Sequence, residues 1–238
     1  MHSCTRWLLI GVGLLAGCSR EPAPTPGLRT VNNVPYYFFT ETDQPWLQLS
    51  AGTVWRFENN RGYQRTYEVY QRLENRQTEQ RTVVPVGSLL GKSELVKYYD
   101  EVLVRVRRTD SLTGGGEFHF YRDAALLSAY RSAGTNPDAS QLYIDGTWSE
   151  FVGNTDLGSD YYRCRGLKFP VGSALEGPFQ QLTIRGRLYP EVVAFRGTAR
   201  GPECAPTPPA FLQELYYDRR AGLVRMVSTA GEIWDRVP

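Results

Sequence analysis

Apolar and polar residues alternate along most of this chain with the period of a strand. Arg65-Thr66-Tyr67-Glu68-Val69-Tyr70 alternates as a strand with one wet face does. Val102-Leu103-Val104-Arg105-Val106 and Val192-Val193-Ala194-Phe195 are β-branched or aromatic runs suited to a pleated surface. Two further strands are expected at 212–218 and 223–228, around the turn Arg219-Arg220-Ala221-Gly222, and Gly231 turns the chain into Glu232-Ile233-Trp234. Asn60-Arg61-Gly62, Gly114-Gly115-Gly116 and Asp145-Gly146 read as turn punctuation. Only Ala124 to Arg131 has a spacing open to a short helix, and its match to the valine-rich 221–227 assigns it to strand. The expectation is an all-β body of antiparallel meander sheets.

Self-similarity adds an organisation. Gly52-Thr53-Val54-Trp55-Arg56-Phe57 recurs as Gly146-Thr147-Trp148-Ser149-Glu150-Phe151, and Pro85-Val86-Gly87-Ser88 as Pro170-Val171-Gly172-Ser173. Tyr99-Asp100-Glu101-Val102 recurs as Tyr189-Pro190-Glu191-Val192, and the stretch 117–127 recurs as 214–224. The four matches keep their order at offsets of 85 to 97 residues. This suggests two copies, 52–130 and 146–236, of a module of about 90 residues, packed as a sandwich or a curled half-barrel. Shared hairpin composition is the alternative, because hairpins reuse the same turn residues. The corresponding division is 31–140 for the first copy with its N-terminal strands and 141–238 for the second. Double tyrosines at 36–37, 98–99, 161–162 and 216–217 put aromatic area on both faces of a sheet. Packing between covered faces explains them, and a tyrosine-lined groove for a glycan or lipid is the sharper alternative.

The start of the chain is different in kind. One charge, Arg6, precedes the apolar run Trp7 to Ala16, which is far shorter than the roughly 20 residues a membrane-spanning helix needs. A charged start, a short apolar centre and small residues before a cut have the form of a secretory signal over residues 1–17. Leu15-Ala16-Gly17-Cys18 resembles the lipobox of bacterial lipoproteins. That resemblance implies a diacylglycerol thioether on Cys18, cleavage before it and N-acylation after. Ser19 stands where an inner-membrane retention signal has aspartate, so the resemblance implies the outer membrane; its periplasmic face is expected ahead of the cell surface. Residues 18–30, with Pro22, Pro24, Pro26 and Gly27, read as the lipidated end and a flexible tether.

Removing 17 of the 238 residues leaves 221, and losing Arg6 takes the formal net charge from +2 to +1. With no basic excess and no nucleic-acid motif, the electrostatic footprint of nucleic-acid binding is missing. Cys4 leaves with the leader and lipid consumes Cys18, so Cys164 and Cys204 remain. In an oxidising compartment they favour a disulfide whose loop of about 40 residues would stabilise by roughly 4 kcal/mol. Two free buried thiols are the alternative. Two cysteines without a nearby histidine do not make a zinc set.

Beyond the leader, Gly52, Trp55 and Phe57 open the body, and Tyr216-Tyr217, Gly222-Leu223-Val224 and Gly231-Glu232-Ile233-Trp234 close it. This succession resembles a broad group of lipoproteins from Gram-negative bacteria. Their shared motifs are structural and imply no activity. Arg219-Arg220 stands where that group has a small residue or glycine.

No catalytic, cofactor or metal residues are expected. His119, the one histidine left after processing, shares its strand with Phe118 and Phe120 on the opposite face and has no recognisable partner for base catalysis. Gly87-Ser88-Leu89-Leu90-Gly91-Lys92-Ser93 has one residue too few between its glycines for a phosphate loop. Asn154, Asp156 and Asp160 form an acidic loop without the spacing of a calcium loop. The expected function is therefore a non-catalytic, lipid-anchored scaffold or binding module meeting an envelope protein, glycan or lipid. The alternatives are a carrier or sensor of an apolar ligand in a tyrosine-lined cavity, and a carboxylate-based hydrolase.

Overall fold

The computed structural model describes residues 25–83, 91–111, 114–127, 134–149, 166–175, 177–196 and 212–238. They form an all-β protein whose only helical element is a single 3-10 turn, Gln44–Trp46. Residues 18, 164 and 204, the tyrosines at 161–162 and the acidic loop 154–160 lie outside the described residues. No helix among the described residues is long and apolar enough to cross a membrane.

Thirteen strands make one sheet: β1 (Leu28–Val31), β2 (Val34–Tyr37), β3 (Val54–Asn59), β4 (Gln64–Val83), β5 (Lys92–Arg108), β6 (Gly115–Leu126), β7 (Thr135–Ser149), β8 (Gly166–Ala174), β9 (Gln180–Ile184), β10 (Arg187–Arg196), β11 (Leu212–Asp218), β12 (Gly222–Ser228) and β13 (Ile233–Val237). The main path runs β8-β7-β6-β5-β4-β3-β13-β12-β11-β10-β9, and each neighbouring pair on it is antiparallel. β1 and β2 form a hairpin over Asn32 and Asn33, both at positive φ, where asparagine is better tolerated than most residues. β2 then lies parallel to β5, pairing Tyr36 with Tyr98 and Tyr37 with Tyr99, next along β5 from the Glu101–Tyr121 pair that ends its ladder with β6. β1 begins inside the stretch read as tether, and its residues 28–30 pair with 35–37.

The sheet is open but curls, so that β8 comes back against β10 and β11. Alternation explains the curl: β3, β5 and β6 each send every second side chain to one common interior. Trp55, Phe57, Tyr67, Val102, Val104, Phe118, Phe120, Leu215 and Met226 are fully buried there. At about 1.5–3 kcal/mol for each large apolar side chain removed from water, this interior is the main source of stability. Phe118 is its hub, with ring centroids 5.1 Å from Tyr217, 5.8 Å from Trp148 and 6.4 Å from Trp55. Trp46, Leu47 and Leu49, on and after the 3-10 turn, close one end of the core. A separate, smaller cluster gathers Ile184 of β9, Tyr189 and Val192 of β10 and Val224 of β12.

Two turn assignments are corrected. Gly115 and Gly116 begin β6, and Asp145-Gly146 lies within β7, paired with His119 and Phe118. Gly115 and Gly116 serve close approach: a Cβ would meet the Val106 carbonyl oxygen at 2.2 Å from Gly115, and the Thr147 carbonyl oxygen at 2.2 Å and Trp148 at 2.9 Å from Gly116. The stretch from Ala124 runs on as strand to Leu126, as expected. The segments matched as repeats differ in structure, since 117–126 is one continuous strand whereas 214–224 bends between β11 and β12. The sheet is continuous across the division at residue 140, because β13 pairs with β3 and β7 pairs with β6.

Candidate functional site

Among the described residues, the polar face of β4 to β7 gathers many titratable groups. The registers Leu103–His119 and His119–Asp145 bring three strands together at one ring. His119 Nε2 lies 2.9 Å from Glu101 Oε2 and Nδ1 lies 3.2 Å from Asp145 Oδ1, while the ring stacks on Tyr121 at 5.0 Å. Gln77 donates a further hydrogen bond to Glu101. Burial pulls the His119 pKa down, but hydrogen bonds and charge from Asp145 and Glu101 outweigh it and hold the pKa above the ordinary value of 6.5. A protonated ring donates from both nitrogens, so the arrangement ties three strands together.

The surrounding charges are paired in the same manner. Lys97 Nζ sits 2.7 Å from Asp123 and 2.9 Å from Glu79, and Arg105 reaches Glu117 at 3.4 Å and Gln71 at 3.0 Å. Arg107 meets Glu68 at 2.8 Å. Such pairs contribute about 0–1 kcal/mol each and favour the observed register.

A second candidate is an open cleft of about 240 Å³ at the plugged end, lined by Asp43, Trp46, Arg122, Gln141, Phe179 and Arg219 among others. Its cations are committed. Arg122 Nη1 donates to both oxygens of Asp43 at 2.8 and 2.6 Å, Nε donates to Ser140 Oγ, and Nη2 donates to the Ser140 carbonyl. Asp43 also accepts from the backbone and hydroxyl of Thr40, which anchors the 3-10 turn over the core. Arg219 donates to Glu191 at 2.8 Å and to the Thr42 carbonyl at 2.6 Å. Trp46 is buried, stacked on Tyr217 at 6.1 Å and tilted against Phe179 at 5.4 Å.

The tyrosines divide between faces. Tyr36 donates to Asp100, and Tyr37, its neighbour on the other face, donates to the Pro137 carbonyl. Tyr217 lies in the core, where burial pushes its phenol pKa up, while Tyr216 donates to Glu214. Among the described residues no three His, Cys, Asp or Glu side chains gather to hold a metal ion. Lys92 and Ser93 open a strand, where a phosphate loop would open a helix. The partners of His119 escaped sequence reasoning because Glu101 and Asp145 stand 18 and 26 residues away. The only available signal was an acidic residue at the same face parity in each flanking strand.

Comparison with known families, with curated proteins and with solved structures finds no match for this chain.

Proposed function

We propose that this chain is a non-catalytic β module of the Gram-negative envelope, carried on lipid at Cys18 at the periplasmic face of the outer membrane, and that it meets its partner through its outside. The observation that carries the reading is the filled interior. A carrier needs a lumen, and here the inside of the curl is occupied by interlocking Trp55, Phe57, Tyr67, Phe118, Trp148 and Tyr217. A carboxylate hydrolase needs two acids facing across an open cleft, with one in an apolar setting. Glu101 and Asp145 are both engaged by His119, and Glu79 and Asp123 are both engaged by Lys97. The leader supports the anchor, since each buried methylene adds about 0.8 kcal/mol and more than one acyl chain holds a protein stably.

Crosslinking of the lipidated protein in its own cells, followed by mass spectrometry, tests this. A mature terminus at an acylated Cys18 together with a reproducible envelope partner is the expected result. A product still beginning at Met1, or one that copurifies with stoichiometric lipid in its body and no partner, would sink the reading.

A further inference from the structure

The first described residues after the expected anchor are tied to the body. Thr25 Oγ1 donates to the Asp138 carbonyl at 2.9 Å, and the Pro26 carbonyl accepts from Ser140 Oγ at 2.6 Å. Gly27, at positive φ, packs so closely on Arg122 that a Cβ there would meet Nε at 2.2 Å. Seven peptide steps separate Thr25 from Cys18, and they reach at most about 25 Å by any path. An acylated Cys18 therefore keeps this end of the body close to a bilayer. Arg61, just before β4 begins, lies fifteen residues from Arg76, roughly 45 Å along an extended chain.

The same end carries two guanidiniums over one ring. The registers Arg29–Tyr36, Tyr36–Tyr98 and Arg76–Asp100 set these five residues on one face of the sheet. Arg29 Cζ lies 4.8 Å and Arg76 Cζ 4.4 Å from the Tyr36 ring centroid, so the two charges are no more than 9.2 Å apart. Tyr36 is buried, whereas both arginines are exposed. The acids beside them are engaged by other groups. Asp100 accepts from the Tyr36 hydroxyl at 2.6 Å and from the Phe39 N–H at 3.1 Å, and Glu74 accepts from Arg72 at 2.9 Å. A guanidinium that rests its face on a ring keeps in-plane N–H groups for a partner, and its fork matches the oxygens of a phosphate. The short tether brings headgroup phosphates to the end where these two forks stand.

We infer that Arg29 and Arg76, held on the Tyr36 ring, dock the body on anionic phospholipid headgroups and so fix which end of the curl faces the membrane. The inference rests on the proposed anchor at Cys18 and gives the anchored body an orientation. Arginine footprinting tests it. The full lipidated chain is placed in vesicles of phosphatidylcholine, or of phosphatidylcholine with phosphatidylglycerol at equal ionic strength, modified with phenylglyoxal and read by mass spectrometry. Arg29 and Arg76 are expected to react about fivefold more slowly on the anionic vesicles, with the protection falling as salt is added. Arg61, exposed at the far end of β4, should react equally on both. In R76E, a change at an exposed position, Arg29 should lose most of its protection. Equal rates at Arg29 and Arg76 on the two vesicles overturn the docking, and so does stronger protection of Arg61 than of the pair. Full protection of Arg29 in R76E overturns it as well. The same spectra report the anchor. An unmodified Cys18 removes the anchor and the docking with it, whereas an acylated Cys18 with unprotected arginines overturns the docking alone.

Discussion

Two clefts of similar size, one at the plugged end of the curl and one beside the β3–β13 seam, are both lined by arginine, yet their arginines are in opposite states. At the plugged end Arg122 is almost completely buried, and each nitrogen of its fork donates to a carboxylate, a hydroxyl or a carbonyl. At the seam no acidic side chain among the described residues pairs with Arg56 or Arg187, and Arg236 donates to two carbonyls beside the Trp55 ring. The difference teaches that residue type decides little by itself. Asp43, carried in by the 3-10 turn, makes one cleft part of the architecture, and no acidic side chain among the described residues does the same at the other.

The largest effect is expected from removing that acid. D43A leaves Arg122 buried and uncompensated, which should cost about 3–5 kcal/mol in urea unfolding. It also frees Thr40 and loosens the plug of Trp46 over the core. A loss below about 1 kcal/mol would mean that the pair is not what closes this end.

His119 offers an intermediate case, a cation held between two acids on a partly wet face. H119Q should cost about 1–2 kcal/mol near neutral pH. Because the folded ring binds its proton more tightly than the unfolded one, its stabilising contribution is full below the ordinary value of 6.5. It fades as pH rises through the higher value of the folded ring. The difference in unfolding free energy between parent and H119Q should therefore shrink as the medium turns alkaline. A gap that is constant with pH would show that the ring is held by packing alone.

The smallest effect is expected at the seam, where R56Q/R187Q removes two charges that no acid meets. Stability should stay within about 0.5 kcal/mol of the parent, leaning towards a gain as the repulsion of Arg187 on Arg236 falls. A loss of 2 kcal/mol would place these arginines with Arg122, as structural members.

Much of the architecture was legible because it follows from local alternation. The strands around Val102–Val106, Val192–Phe195 and the 219–222 turn need only their own side chains and turn residues to be recognised. Gly115 and Gly116 misled because glycine also serves where backbones or rings approach closely, and the Trp148 ring that explains Gly116 lies on a neighbouring strand. The sites were the least legible part. Asp43 meets Arg122 across 79 residues, and Arg56 comes beside Val237 only after β13 has found β3. No local pattern encodes such registers, since pairing partners are selected by the whole core.

The seam between β3 and β13 has a consequence for how the protein comes into being. Residues 54–59 emerge early from any ribosome or translocation pore, while their partners 233–237 follow every other strand in the sequence. The middle of the sheet therefore waits for its last piece, and a chain threaded amino end first stays pliable until nearly all of it has passed through. Loss of a handful of residues after Gly231 would leave two strands in the centre of the sheet, β3 and β12, each with a bare edge and open to pairing with a neighbouring molecule.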